Sequence, residues 1–193
     1  AKISMLNRFL FASAVLALSS AHANSAATVD GIADESFWSS AQRFDQFVTV
    51  EPFNQQAPAQ SQVVMLQSLP EGLAVFFTIA HAADIPRTKP QTQRDQLEAA
   101  DRVNLIIDFD GKGQTAYNFT VSLSGAIEDG IASRDQFRND WDGDWQYAVK
   151  ESAQEWTVEM LVPWTIAAME PVSGDTRRVG IYLDRVLKAR GER

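Results

Sequence analysis

The chain has 193 residues and a net charge of −8, from 17 Lys and Arg against 25 Asp and Glu. Hydrophobic residues make up 45% and charged residues 22%, a balance that excludes a disordered chain, a fibrous repeat and a coiled coil. The acidic balance argues against a nucleic-acid partner, because phosphate binding needs clustered Lys and Arg. Cysteine is absent, which excludes disulfides, thiolate metal sites and a cysteine nucleophile.

The N-terminal segment has the three parts of a bacterial signal peptide. Lys2 and Arg8 supply positive charge, residues 9–18 (FLFASAVLAL) are apolar, and residues 21–23 (AHA) give the small-residue cleavage pattern. The apolar stretch is too short for a helix that spans a bilayer core about 30 Å thick. A buried N-terminal helix is the alternative. We expect residues 1–23 to be removed and the mature protein to be exported to the periplasm, the outer membrane or the cell surface.

Short runs rich in Val, Ile, Phe, Tyr and Thr, bounded by Gly, Pro, Asp or Ser, indicate strands. The predicted strands are 47–50, 62–67, 73–80, 103–109, 116–123, 126–132, 145–151, 156–162 and 179–186. Two short helical turns are predicted, one capped by Asp34 and one beginning at Pro163. Closely spaced strands with little helix predict an all-β fold, an antiparallel β-sandwich of the jelly-roll kind. The polar stretch 83–101 is predicted to be a long surface loop, which is a common place for function.

A series of short motifs runs through the mature chain in a fixed order. They are 29–38 (VDGIADESFW), 47–52 (FVTVEP), 72–75 (GLAV), 94–96 (RDQ), 116–119 (AYNF), 129–130 (DG), 156–160 (WTVEM) and 163–164 (PW). Together they resemble family 9 carbohydrate-binding modules, in particular the subgroup at the N terminus of large bacterial outer-membrane proteins of unknown function. The resemblance covers nearly all of Val29 to Glu192, and its specificity comes from the order of the motifs.

The resemblance implies a β-sandwich module, residues 24–193, with the capacity to bind sugar and calcium. In the longer members of the subgroup a predicted membrane β-barrel follows, so we expect this chain to be the N-terminal part of a longer protein. Two hypotheses follow. The first is a secreted or cell-envelope module that binds glycan, and the second is an interaction or plug domain of an outer-membrane β-barrel without a sugar site.

The candidate carbohydrate site centres on Trp141, whose neighbours, among them Asn139, are polar. A sugar needs an aromatic face open to solvent and nearby polar groups for its hydroxyls. Trp145 is the second candidate ring, and the alternative for Trp141 is a loop residue folded back onto the sheet. Arg94 either forms an ion pair that holds the long loop or donates hydrogen bonds to sugar hydroxyls. The remaining tryptophans have apolar or amphipathic surroundings and are predicted to be core residues: Trp38, Trp156 and Trp164.

Two short acidic turns are candidate calcium sites. Asp140, Asp142 and Asp144 alternate along one turn, and Asp108 and Asp110 lie in the other. Calcium takes six to eight oxygen ligands, which carboxylates and carbonyls of a bent loop can supply. The alternative is a solvated turn, because Asp and Gly favour turns in any case. We expect one structural calcium ion and no other cofactor.

Catalytic signatures are missing from the sequence. No pair of acids has a spacing diagnostic of glycoside hydrolysis, and neither G-x-S-x-G nor H-E-x-x-H occurs. After signal cleavage His81 is the one remaining histidine, at the end of an apolar run. The sequence therefore predicts a protein that is not an enzyme.

Overall fold

The computed structural model describes residues 12–14, 27–171, 174 and 176–193. Of the predicted signal peptide it describes only Ala12–Ala14, which forms a short strand. The rest of that segment, with the expected cleavage site, lies outside the described residues. Within the described ranges, no helix is both long and apolar enough to cross a bilayer.

The described chain contains eleven strands in two antiparallel sheets. In chain order, β1 to β11 are Ala12–Ala14, Gln42–Phe44, Gln62–Ser68, Gly72–Ala80, Arg102–Asp108, Thr115–Ser122, Ile127–Ser133, Phe137–Arg138, Gln146–Glu151, Glu155–Pro163 and Val179–Val186. The six-stranded sheet has the order β1-β11-β5-β6-β7-β8, and the five-stranded sheet has the order β2-β3-β4-β10-β9. Three short 3₁₀ turns supplement them: Ser36–Ser40, Trp164–Ile166 and Lys188–Arg190. The predicted all-β antiparallel sandwich is confirmed.

The main core lies between the two sheets and follows from the alternation of side chains along each strand. In β10, Trp156, Val158 and Met160 point inward and are almost fully buried. Leu105 and Phe119 meet them from the six-stranded sheet with no exposed surface. Each such side chain stabilises the fold by about 1.5–3 kcal/mol.

A strap formed by residues 27–41 covers the outer face of the five-stranded sheet. Phe37 and Trp38 are buried there in a second apolar cluster. The carboxylate of Glu159, itself 1% exposed, accepts the backbone N–H groups of Asp30 (2.9 Å) and Gly31 (2.8 Å). Burial raises the pKa of Glu159, and these two donors oppose that rise. The motif 29–38 therefore attaches the strap to β10.

The predicted strand at 47–50 is wrong. The neighbouring strand is Gln42–Phe44, which pairs with β3, while the chain from 45 to 49 runs outside both sheets. Hydrogen bonds made at the end of this segment explain the difference. The N–H of Thr49 donates to the carbonyl of Gln56 (2.8 Å), and that of Val50 donates to the carbonyl of Arg193 (2.7 Å).

The long loop 83–101 contains no strand or helix, as expected, but only part of it is exposed to solvent and several of its side chains are buried. Leu97 and Ala100 are almost completely buried and anchor it. The N–H of Asp95 donates to the carbonyl of Ile127 (3.0 Å), so the loop lies against the outer edge of β7. The adjacent residue Arg94 is thereby brought to this end of the sandwich.

Candidate functional site

A buried carboxylate organises the β7 end of the molecule. Asp129 lies opposite Phe119, points into the sandwich and has no exposed surface. It accepts hydrogen bonds from the guanidinium of Arg94 (2.5 Å), the N–H of Gly143 (2.7 Å) and the indole N–H of Trp145 (3.1 Å). Two segments, the long loop at Arg94 and residues 143–145, therefore meet at one carboxylate of β7. We call this set the Asp129 junction.

Arg94 links the junction to solvent. Its side chain is 40% exposed and contacts Asp142 at 2.8 Å on the outer side. Burial lowers the pKa of Arg94, but the carboxylates of Asp129, Asp142 and Asp95 outweigh that effect and the pKa is raised. The ion-pair alternative for Arg94 is therefore realised, and the exposed part of its guanidinium remains accessible.

The two predicted sugar-binding tryptophans lie beside this junction. Trp145 is 8% exposed, with its ring centre 5.3 Å from that of Phe119, so it is a core residue rather than an open face. Trp141 is half-buried and meets Tyr117 edge-on at 5.1 Å. A Cβ at Gly143 would lie 2.6 Å from Cη2 of Trp141, which explains why glycine occupies that position.

The structure thus brings Arg94, Trp141 and Trp145 together. Asn139 lies outside this set, exposed in the segment before Trp141. The half-burial of Trp141 matches the alternative of a loop residue folded back onto the sheet. Whether any of the four contacts a sugar stays a prediction.

The first acidic turn does not gather its carboxylates. Asp140 forms a two-pronged ion pair with Arg138 (3.0 and 3.1 Å), Asp142 pairs with Arg94, and Asp144 is exposed. Among the residues that the structure describes, no three His, Cys, Asp or Glu side chains are grouped in a way that could hold a metal ion.

In the second turn the two carboxylates are held by hydrogen bonds and an ion pair within the protein. Asp108 is buried and accepts the N–H groups of Asp110 (3.1 Å), Gly111 (3.0 Å) and Gly113 (2.5 Å). Asp110 pairs with Arg177 at 3.1 Å. The carboxylates of both turns are engaged by arginine side chains or backbone N–H groups, apart from the exposed Asp144, so neither turn as arranged fits a calcium ion. Calcium binding stays a prediction.

A row of polar residues on the outer face of the six-stranded sheet was not predicted from the sequence. Strand pairing aligns Asp184, Asn104, Thr120 and Glu128 across β11, β5, β6 and β7. Thr120 donates to the side-chain oxygen of Asn104 (2.8 Å), Asn104 donates to Asp184, and Arg193 donates to Asp184 (2.5 Å). Because three of the row's four members are almost fully buried, these hydrogen bonds are needed to offset the cost of burying them.

At its β11 end the polar side chains of the row are hydrogen-bonded to one another and to Arg193, whereas at its β7 end the carboxylate of Glu128 is not part of this network. Within the described part of the chain, Glu128 accepts no hydrogen bond, although Arg102 lies close enough to act on its charge. Burial raises the pKa of Glu128, and the nearby acids Asp95, Glu98 and Asp129 raise it further, against Arg102. The carboxylate is thus half-buried and lacks donors.

An exposed ring lies on the same face. Phe137 pairs with Ala132 and therefore shares the outer face with Glu128 and Gly130. It is 47% exposed, and its Cζ would lie only 3.1 Å from a Cβ at Gly130. Asn118 is the partner of Gly130 on β6. Residues 118, 128, 130 and 137 define what we call the β7 platform.

The alternation of polar and apolar residues in the sequence could have revealed part of the polar row and of the β7 platform. Asn104 in β5, with Asn118 and Thr120 in β6, occupies positions between inward apolar residues. The role of Phe137 had no such signal, because its strand is only two residues long.

Two solved structures share this fold. Both are a family 9 carbohydrate-binding module from Caldicellulosiruptor kristjanssonii, one in complex with cellotriose and one with glucose. The cellotriose complex gives a TM-score of 0.53 at 9% identity, over 81% of this chain and 80% of its own. The glucose complex gives 0.52 at 10% identity, over 81% of each chain. No family model and no curated protein sequence matches. The likeness shows a fold similar to that of family 9 modules.

Proposed function

We propose that this protein binds carbohydrate without catalysis, at the β7 platform. The observation that carries the proposal is that an exposed aromatic ring, Phe137, and a half-buried carboxylate, Glu128, lie on the same face of the sheet, and that no described residue donates a hydrogen bond to that carboxylate. The similar modules in complex with cellotriose and glucose support the choice of ligand class.

The chemistry of a sugar suits both parts of this platform. The C–H groups of a pyranose pack on the face of an aromatic ring, here that of Phe137. Sugar hydroxyls supply donors to Glu128. Asn118 is only 6% exposed and its amide donates to Oγ1 of Thr120 (3.0 Å), so it holds the floor of the platform in place. A few oriented polar groups around an apolar surface are the usual composition of a small-ligand site.

A second position for the sugar is the surface beside Trp141. The exposed guanidinium of Arg94 favours it, because it lies at the same junction and can donate to a hydroxyl. Trp145 and Asn139 would then flank rather than stack on the ligand. The same experiment separates the two positions.

Isothermal titration with glucose, cellotriose and a panel of other oligosaccharides tests the proposal. Phe137→Ala should weaken binding about tenfold or more, since a stacked ring contributes on the order of 1.4 kcal/mol or more. Phe53→Ala is the matched control, because Phe53 is 70% exposed and lies outside the platform. If Trp141→Ala abolishes sugar binding and Phe137→Ala does not, the sugar binds at the surface beside Trp141 instead of at the β7 platform. Absence of heat with every sugar would refute carbohydrate binding.

Calcium binding, export and the barrel partner are proposals that rest on the sequence. A fall in Tm on adding EDTA would support calcium, since a ligand that binds only the native state stabilises it. A mature protein beginning at Asn24 would support export. An interaction or plug role becomes the better hypothesis if the parent gene encodes alternating strands after Arg193 and no sugar binds.

A further inference from the structure

One edge of the six-stranded sheet is covered by a segment that is expected to be removed. The strand β1, Ala12–Ala14, pairs antiparallel with Val179–Ile181 at the start of β11. All three of its residues fall within the apolar part of the predicted signal peptide, 9–18. Cleavage after Ala23 would therefore remove the strand that closes this edge.

The uncovered edge would differ from the other sheet edges in the described chain. Those edges are β2 with three residues, β8 with two, and β9 with six that include Lys150 and Glu151. β11 has eight residues, and its first five, Val179 to Leu183, carry no charge. Natural proteins protect edges by making them short, charged or covered, because open strand edges pair with other chains. Without β1, the first half of β11 has none of these protections.

An apolar cleft adjoins the same edge. It has a volume of about 510 Å³ and lies between β11 and the segment that follows β2. Its apolar lining comes from both sheets and from the segment between β2 and β3: Phe44, Phe47, Val48, Leu66, Ile181 and Leu183. Val48 is 53% exposed, so the cleft opens to solvent.

We propose that, in the processed protein, the edge of β11 accepts an extended strand from a partner protein. Backbone hydrogen bonds along β11 would hold the strand, and its inward side chains, small or apolar at alternate positions, would face the cleft. The pairing of Ala12–Ala14 with Val179–Ile181 shows that this edge has room for one more antiparallel strand. Ala12 and Ala14 lie opposite Ile181 and Val179, whose side chains belong to the core. This inference goes beyond carbohydrate binding, because the edge lies at the opposite side of the sheet from β7 and β8.

The test compares the full chain with a chain that begins at Asn24. Both apolar clusters are built from residues of Ala27 onward, so the shorter chain keeps the whole described core. The probe is a synthetic peptide with the sequence of residues 8–16, flanked by two lysines at each end for solubility. Amide hydrogen exchange in Val179–Leu183 reports pairing at the edge. Should the shorter chain fail to fold, the full chain with both Ala12→Pro and Ser13→Pro serves instead, because one of these two adjacent residues donates to β11 and proline has no backbone donor.

We expect these amides to exchange about tenfold faster in the shorter chain than in the full chain, and the peptide to restore protection. Val48→Lys in the cleft should weaken peptide binding about tenfold, whereas Phe53→Lys, outside the cleft, should change it less than about twofold. Equal exchange in the two chains, or equal binding of a peptide carrying both Ala12→Pro and Ser13→Pro, would overturn the proposal, because one of these two adjacent residues donates to β11. Protection of β11 by dimerisation of the shorter chain, without peptide, would also overturn it, since a second copy would then occupy the edge.

Discussion

Replacing Asp129 with Ala removes the carboxylate on which the loop at Arg94 and the segment 143–145 converge, and its hydrogen bonds set the size of the effect. The N–H of Gly143 and the indole N–H of Trp145 would lose their acceptor inside the protein, at about 1–3 kcal/mol each. Arg94 is 40% exposed and regains water, so the loss of its ion pair adds little. We therefore expect the free energy of unfolding to fall by about 2–6 kcal/mol, a large share of the roughly 5–15 kcal/mol of a typical domain.

Urea unfolding followed by tryptophan fluorescence measures this loss. Asp144→Ala is the matched control, because Asp144 is exposed and its removal should change stability by no more than about 0.5 kcal/mol. A double-mutant cycle with Trp145→Phe isolates the indole hydrogen bond, which should couple the two sites by about 0.5–3 kcal/mol. If Asp129→Ala costs less than about 1 kcal/mol, the junction is not the element that holds these segments together.

Three further substitutions test local features of the fold. Gly31→Ala should lower stability by about 1–2 kcal/mol in thermal unfolding, because Gly31 has a φ of +84° and its new Cβ would lie 3.1 Å from Lys150; an unchanged Tm would contradict this. Asp108→Ala should cost about 1–3 kcal/mol in urea and speed proteolysis of the turn, since the N–H groups of Asp110 and Gly113 lose their acceptor and that of Gly111 keeps only the carbonyl of residue 108; resistance equal to wild type would refute it. Gly143→Ala should displace the ring of Trp141 and shift its fluorescence, because the new Cβ would approach Cη2 to 2.6 Å; an unaltered spectrum would show that the ring does not pack there.

Alternation of apolar and polar residues was sufficient to predict most of the sandwich. The last strand, Val179–Val186, has the predicted bounds because its pattern is set by local sequence and a buried face. Residues 47–50 have the same composition, yet no strand forms there. Their backbone is held by Gln56 and by Arg193, a residue more than a hundred positions away, and such a contact leaves no trace in local composition.

The candidate site was harder to predict for the same reason. The polar neighbours of Trp141 and Trp145 predicted that both rings are exposed to solvent. Trp145 is buried instead, because its indole N–H donates to Asp129, which lies 16 residues away in sequence. The sequence did place Arg94 among the functional candidates, and its position beside that carboxylate depends on the packed loop 83–101. Phe137 was missed because a two-residue strand has no periodicity to read.

The half-buried carboxylate of Glu128 leads to a last prediction, on the proton linkage of glycan binding. Burial raises the pKa of Glu128, with Asp95, Glu98 and Asp129 adding to the rise and Arg102 opposing it. A sugar hydroxyl that donates to Glu128 favours the ionised form, so binding should lower this pKa and release a proton. Affinity should therefore rise with pH through the interval between the lower pKa of Glu128 in the complex and its raised pKa in the free protein. Titration in two buffers of different ionisation enthalpy measures the released proton, and Glu128→Gln should abolish both the release and the pH dependence. A glycan that binds with the same affinity on both sides of this interval, or whose proton release survives Glu128→Gln, does not contact that carboxylate.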